Sequence, residues 1–423
     1  PPGNEPPLPP EVTMTHAQSC AQPAPRSPFA FVGRAGRAAR ALTTAASALT
    51  LALGALMVAP APVLADDGVT TQDYFSYYHF DKAREKGYTG KGVTIAIIDG
   101  PVELSDPELA GANISDKSRC TIEASIENRY HGSEMAAILA SQKYGVAPDA
   151  TILSYQVRST GDRSAGTCDD GPEQLDSFAA LINNAIDDGA QIISVSHGST
   201  DHGVALKMAI ARAMSEGVII VASVGNNGKD ENDTHLSWWS GVVGVSAITT
   251  DGQFASYSSW GNGVTTAAVG GPLTVRDFDT GKTATTNGTS NSTALVAGML
   301  ALALQKWPDA TPNQILQSLV HTGLNPNHEW NKYTGYGAID GGALVNTDPS
   351  QYPDENPLAQ KQGGSSPTPE EVQDYADGLI YLPTDMDRFP KSYVYRGTNE
   401  GIVTGLNFGI DIHLGTSPRY HRK

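Results

Sequence analysis

Asn287-Gly288-Thr289-Ser290-Asn291-Ser292-Thr293-Ala294-Leu295-Val296-Ala297-Gly298 is the stretch on which the reading of this chain turns. A small polar turn runs directly into an Ala/Leu-rich run. Gly288 permits close approach of the backbone. Ser290 falls at the start of a helix that continues through Met299, Leu302 and Leu304. A hydroxyl there lies near the positive end of the helix dipole and beside unpaired backbone N–H groups. That placement suits a nucleophile that ends up next to an oxyanion. Alone, Gly-Thr-Ser reads as readily as a helix N-cap, which serine makes well, so the segments upstream decide.

Two of them supply an aspartate and a histidine. Val93-Thr94-Ile95-Ala96-Ile97-Ile98 is a continuous β-branched run, as expected of a strand buried on both faces of a parallel sheet. It ends at Asp99-Gly100, and functional groups of open α/β sheets lie at the carboxyl ends of strands. His131-Gly132 opens a small-residue run in which Met135, Ile138 and Leu139 mark a helical face. Asp, then His, then Ser is one of the three unrelated chain orders of a catalytic triad. Further strands are expected over Thr151 to Val157, Ile192 to Ser196, Val218 to Val224 and Val242 to Ile248. Helices are expected over 178–188, from Val204 to Glu216, and from Thr311-Pro312, an N-cap followed by proline at N1. Strands alternating with helices predict an α/β protein with a mainly parallel central sheet and helices on both faces.

These blocks resemble the subtilisin-like serine peptidases (subtilases, peptidase S8). Asp99-Gly100-Pro101 stands where that family has Asp, Ser or Thr, Gly. His131-Gly132-Ser133-Glu134-Met135-Ala136-Ala137 is similar to its His-Gly-Thr-His-Val-Ala-Gly block, and Ala294-Leu295 replaces its usual Pro-His. The resemblance covers about residues 70–348 and implies a three-layer subtilisin-like fold. It implies catalytic Asp99, His131 and Ser290, with Asn226 of Gly225-Asn226-Asn227-Gly228 as the oxyanion-hole amide. It further implies a substrate-binding edge at Ser196, His197 and Gly198, where an extended peptide adds as a strand, and at Ser223, Val224 and Gly225. Asp230, Glu231 and Asp233 fall near the family's pocket for the residue ahead of the cut. They read as a solvated acidic loop, with a basic side chain or a structural Ca2+ as further readings.

The chain has 423 residues and a formal net charge of −17, which argues against nucleic-acid binding. Arg34, Arg37 and Arg40 precede an apolar run from Ala41 to Val58, and Val63-Leu64-Ala65 gives small residues at the cleavage positions. Residues 1–65 are therefore expected to be an N-terminal extension and signal peptide cleaved near Ala65, giving a secreted or cell-surface protein. No later run is long enough to cross a membrane. Cys120 and Cys168 remain after cleavage, an even count that makes them a candidate disulfide in an exported chain. The interval from Ala65 to the first strand is too short for the folding pro-domain the family often carries. In this the chain is similar to the mycosins of type VII secretion.

The expected organisation is a peptidase domain over 66–348, a Pro/Gly/Ser-rich linker over 349–369 and a C-terminal tail over 370–423. In the tail, Leu406, Phe408, Ile410, Ile412 and Leu414 alternate with polar residues and Gly409, as in a strand with one buried face. The expected function is that of an exported monomeric serine endopeptidase acting on protein or peptide substrates through an acyl-enzyme. No metal or cofactor is required, since His-Glu-x-x-His is absent. The alternative is a catalytically inactive subtilase-like scaffold or peptide-binding protein. An α/β-hydrolase esterase is disfavoured by the chain order and by the lack of Gly-x-Ser-x-Gly.

Overall fold

The computed structural model describes residues 68–159, 162–164, 168, 174–231, 233–277, 280–326, 329–377, 392–395 and 411–414. The expected signal peptide and its cleavage point lie outside the described residues, as do 378–391 and 396–410 of the tail. Nine helices are described: α1 (Asp73–Tyr77), α2 (Phe80–Glu85), α3 (Ile126–Ala140), α4 (Phe178–Asp187), α5 (Val204–Glu216), α6 (Thr289–Lys306), α7 (Pro312–His321), α8 (Gly341–Asn346) and α9 (Pro369–Ala376). The central sheet is built from β1 (Thr94–Asp99), β2 (Asn113–Asp116), β4 (Thr151–Gln156), β6 (Ile192–Val195), β7 (Ile219–Ser223), β8 (Val242–Ile248) and β9 (Val264–Val269). The short strands β3 (Ile122–Glu123) and β5 (Arg163–Ser164) pair with each other, as do β10 (Leu273–Arg276) and β11 (Thr283–Thr286). In the tail, β12 (Ser392–Tyr395) and β13 (Asp411–Leu414) pair in parallel.

The sheet order is β2-β4-β1-β6-β7-β8-β9, and every pairing in it is parallel. Successive side chains of a strand point to opposite faces, and two cores result. Ile95, Ile97, Ile192, Ile219 and Val221 face the layer of α3, α6 and α7. Ala96, Ile98, Ile193, Val195, Ile220 and Ala222 face the layer of α4 and α5. This is the three-layer architecture that the resemblance implied, with the continuous β-branched runs buried on both faces as expected.

Helix α6 is buried along its whole length from Thr289 to Ala303, as a helix apolar on all sides must be. Each of its leucines contributes about 1.5–3 kcal/mol by leaving water. The Pro-free sequence runs without interruption to Trp307, ahead of Pro308. Helix α7 starts as expected: Thr311 and Gln314 form a reciprocal capping box, with Pro312 at N1.

Residues 68–90 pack on this body. Tyr74 and Phe80 are buried, and the Gln72 amide reaches across to bond the backbone of Thr274. Cys120 and Cys168 are joined by a disulfide. It ties the approach to α3 to the segment between β4 and α4.

Residues 349–369 are not a linker. Leu358 joins the core of α6 and α7. The Gly241 and Ser240 backbone N–H groups donate to the carbonyls of Leu358 and Ser366. Beyond it, α9 is held on α5 by the Lys207–Glu371 ion pair at 2.6 Å. Pro, Gly and Ser suit a tether, but they equally suit an extended strap whose backbone groups are taken up by a neighbouring loop.

The strap carries a buried lysine. Lys361 Nζ donates to the carbonyls of Ser237 (2.6 Å) and Gly263 (2.7 Å), and burial pushes its pKa down to about 7. The unfolded chain therefore binds a proton that the folded chain lacks between about pH 7 and the ordinary value of 10.5, and this group's contribution to stability rises with pH across that window. The stability of the native chain relative to Lys361→Met is expected to climb between those limits and to be flat below them, as read by urea unfolding at a series of pH values.

Candidate active site

Asp99, the last residue of β1, is 1% exposed. Its Oδ1 accepts the Gly100 backbone N–H at 2.7 Å and faces His131 Nδ1 at 2.6 Å. An ionised carboxylate only accepts, so Nδ1 carries the hydrogen and Nε2 is left as the base. Burial acts to raise the Asp99 carboxyl, but the imidazoles of His131 and His197 outweigh it and hold it well below the usual range. Burial acts to lower His131, and the charges of Asp99 and Glu134 carry it above its ordinary value. Glu134 itself is half-buried, and desolvation of its carboxyl pushes it up to about 7.

Helix α3 differs from expectation in its start. It begins at Ile126, five residues before His131, because Ser125 caps it by accepting from the Asn128 N–H. His131 therefore lies inside the helix, held by turns on both sides. Its approach to Asp99 depends on two glycines. A Cβ on Gly132 would lie 2.1 Å from the Gly100 carbonyl oxygen, and one on Gly100 would lie 1.9 Å from the Asn128 carbonyl oxygen. This accounts for Gly100 at a position where the family has Ser or Thr.

Ser290 sits in the first turn of α6, after the extended Gly288. Its Oγ donates to the Ser196 carbonyl and its own carbonyl accepts from Ser196 Oγ, both at 3.3 Å. Asn226 lies across the same turn. Its Oδ1 accepts from the backbone N–H (2.8 Å) and hydroxyl (3.0 Å) of Thr289. The amide nitrogen is thereby left for other acceptors, and it would lie 3.5 Å from a Cβ on Gly288. The ends of β6, β7 and β9 converge here, since Ser292 Oγ and Asn291 Nδ2 donate to the carbonyls of Ala268 and Gly270.

His197 was expected along the peptide-binding edge, but its ring is turned inward. Asn128 Nδ2 donates to Val157 O and Asp162 Oδ2, which leaves Asn128 Oδ1 to face His197 Nε2 at 3.2 Å. His197 Nδ1 lies 3.6 Å from Asp99 Oδ2. Among the described residues, Asp99, His131 and His197 form the one trio of candidate metal donors, with atoms within 4.8 Å of one another.

Glu231 is not an open acidic site either. Its oxygens accept from Asn227 Nδ2 (2.7 Å) and Ser259 Oγ (2.6 Å), so it is spent on the loop's own structure. Gly198 pairs antiparallel with His235, a residue the sequence did not single out because nothing local marks it.

The family model for the subtilases matches residues 90–337, more than half of the chain. The chain belongs to the subtilase family. It is a serine-type endopeptidase, as members of that family are. The match takes in β1 to α7 and every residue of the site. The thermostable alkaline protease of Halalkalibacterium halodurans is 30% identical over 277 residues, covering 64% of this chain and 70% of that protein. Mycosin-1 of Mycolicibacterium smegmatis is 28% identical over 392 residues, covering 79% and 81%. Among solved structures, MycP1 from Mycobacterium smegmatis superposes with a TM-score of 0.57 at 25% identity, covering 73% of this chain and 91% of that one. Among the described residues no helix is long and apolar enough to cross a membrane.

Gly132→Ala is expected to force α3 away from the Gly100 turn. Urea unfolding should show a loss of about 1–3 kcal/mol, and reaction of Ser290 with a fluorophosphonate should slow because His131 leaves Asp99.

Proposed function

We propose that this subtilase is an exported endopeptidase that cleaves proteins or peptides through an acyl-enzyme on Ser290. The observation that carries the reading is the contact of buried Asp99 with half-buried His131 at 2.6 Å, in one site with a serine at a helix start beside Asn226. In the first step the Ser290 hydroxyl exchanges the Ser196 carbonyl for His131 Nε2 and gives up its proton there. Its Oγ then bonds to the substrate carbonyl carbon. The oxygen that becomes negative is held by Asn226 Nδ2 and the Ser290 backbone N–H, aided by the N-terminal end of α6. The C–N bond breaks, and His131 returns the proton to the leaving amine. Water then attacks the ester by the same route, which frees Ser290. Asp99 keeps His131 in the Nδ1–H tautomer throughout and stabilises its cation. The steps use protein groups and water alone.

Export is supported by the disulfide between Cys120 and Cys168, since such bonds persist in oxidising compartments. The Arg-then-apolar order of residues 34–58 supports it from the sequence.

A fluorophosphonate probe is expected to label the protein from Asp66 onward and to leave Ser290→Ala unlabelled. Absence of labelling in well-folded native protein would favour the inactive scaffold. Asn226→Ala is expected to lower kcat by about 10²–10³ with little change in KM. Asp99→Asn is expected to lower it by about 10⁴. Both magnitudes are set by precedent among serine peptidases, and steady-state kinetics on a cleaved peptide would check them.

A further inference from the structure

The two segments that flank Ser290 leave neighbouring parallel strands. Ser196–Gly198 follows β6 and Gly225–Asn226 follows β7. One touches Ser290 directly and the other touches Thr289. A peptide laid beside Ser196–Gly198, with its carbonyl between Ser290 and Asn226, sets one side chain over the slot between them. That side chain belongs to the residue whose carbonyl is attacked.

The slot is already filled. A Cβ on Gly198 would lie 3.1 Å from His235 Cε1 and 3.3 Å from its Nδ1. A Cβ on Gly225 would lie 2.5 Å from His235 Nε2 and 2.5 Å from Glu231 Oε2. The imidazole therefore spans from one wall to the other: a Cβ at Gly225 would collide with it, and one at Gly198 would press against it. Three observations fix the ring there. The backbone of His235 pairs with Gly198. Its Nε2 lies 3.7 Å from Glu231 Oε2. Glu231 is itself held by Asn227 and Ser259. The side chain of His235 is 14% exposed, so the ring is a wall rather than a mobile flap.

The geometry points to His235 as the specificity-determining residue of this peptidase: it closes the slot, so that cleavage follows glycine, alanine or serine and not aromatic, long aliphatic or basic residues. This rests on the proposed function, since it needs Ser290 to be the nucleophile. Two features add to it. Glu231 is already engaged by Asn227, Ser259 and Lys229 of its own surroundings rather than turned toward a bound basic side chain. Burial lowers the pKa of His235 despite Glu231, so the ring stays neutral and does not recruit an acidic side chain instead.

The test uses diphenyl phosphonate esters that differ only in carrying the side chain of alanine, phenylalanine or lysine. Each reacts with a catalytic serine at a rate set by that side chain. They would be applied to the native chain, to His235→Ala and to Ser290→Ala, with a plain fluorophosphonate as control. The native chain should react with the alanine probe at least about a hundredfold faster than with the phenylalanine probe. In His235→Ala that ratio should fall by about tenfold or more, through faster reaction with the phenylalanine probe. An alanine probe no faster than the phenylalanine or lysine probe on native protein overturns the inference, whether or not the variant folds. So does a ratio unchanged in folded His235→Ala. Failure of the fluorophosphonate itself to label Ser290 is the separate failure of the proposed function.

Discussion

The site rests on a backbone contact between two glycines. The Gly100 carbonyl leaves no room for a Cβ on Gly132, and the Asn128 carbonyl one turn earlier leaves none for a Cβ on Gly100. One glycine follows the aspartate and the other follows the histidine. Helix α3 can therefore settle against the end of β1, and the Asp99–His131 hydrogen bond is the result. A hydrogen bond between flexible side chains gains little over water. This one is set by a helix and a strand whose relative position is fixed by close packing, so little ordering entropy remains to be lost when substrate arrives.

The electrostatics follow from the same packing. Asp99 is withdrawn from water, which alone would favour its neutral form. Two imidazoles approach it from different elements, His131 on α3 and His197 after β6, and keep it ionised. The second imidazole has its orientation dictated from behind. Asp162 and the Val157 carbonyl claim the Asn128 amide nitrogen, so Asn128 must turn its oxygen to His197. A carboxylate remote from the nucleophile thus sets which Asn128 atom faces His197 Nε2.

Much of this was legible in the sequence where chemistry coincides with a local signal. Asp99 ends a β-branched run, Asn226 follows another, and Ser290 opens an Ala/Leu helix. What was illegible is what tertiary contact alone creates. His235 gains its place from Gly198 and Gly225, which are distant in sequence, and the loop that carries it reads as polar and solvated. Lys361 sits in a stretch of glycine, serine and glutamine, where nothing forecasts a buried lysine. The start of α3 was missed because Ile126 to Tyr130 is too mixed in polarity to show a helical period before the cap is seen. The hairpin β10–β11, rich in threonine and short, was missed for a similar reason.

The nucleophile helix has one more consequence. Its first turn is hydrogen-bonded to carbonyls at the ends of three strands: Ser196 after β6, Gly225 after β7, and Ala268 and Gly270 at β9. Those carbonyls come into register only when the sheet is complete from its centre to its edge. A half-folded chain therefore has no assembled nucleophile, whatever helix it has formed. The same bonds that hold Ser290 in place thus tie the nucleophile to the finished sheet. A protease made in the company of its own unfolded copies is harmless to them until it is finished.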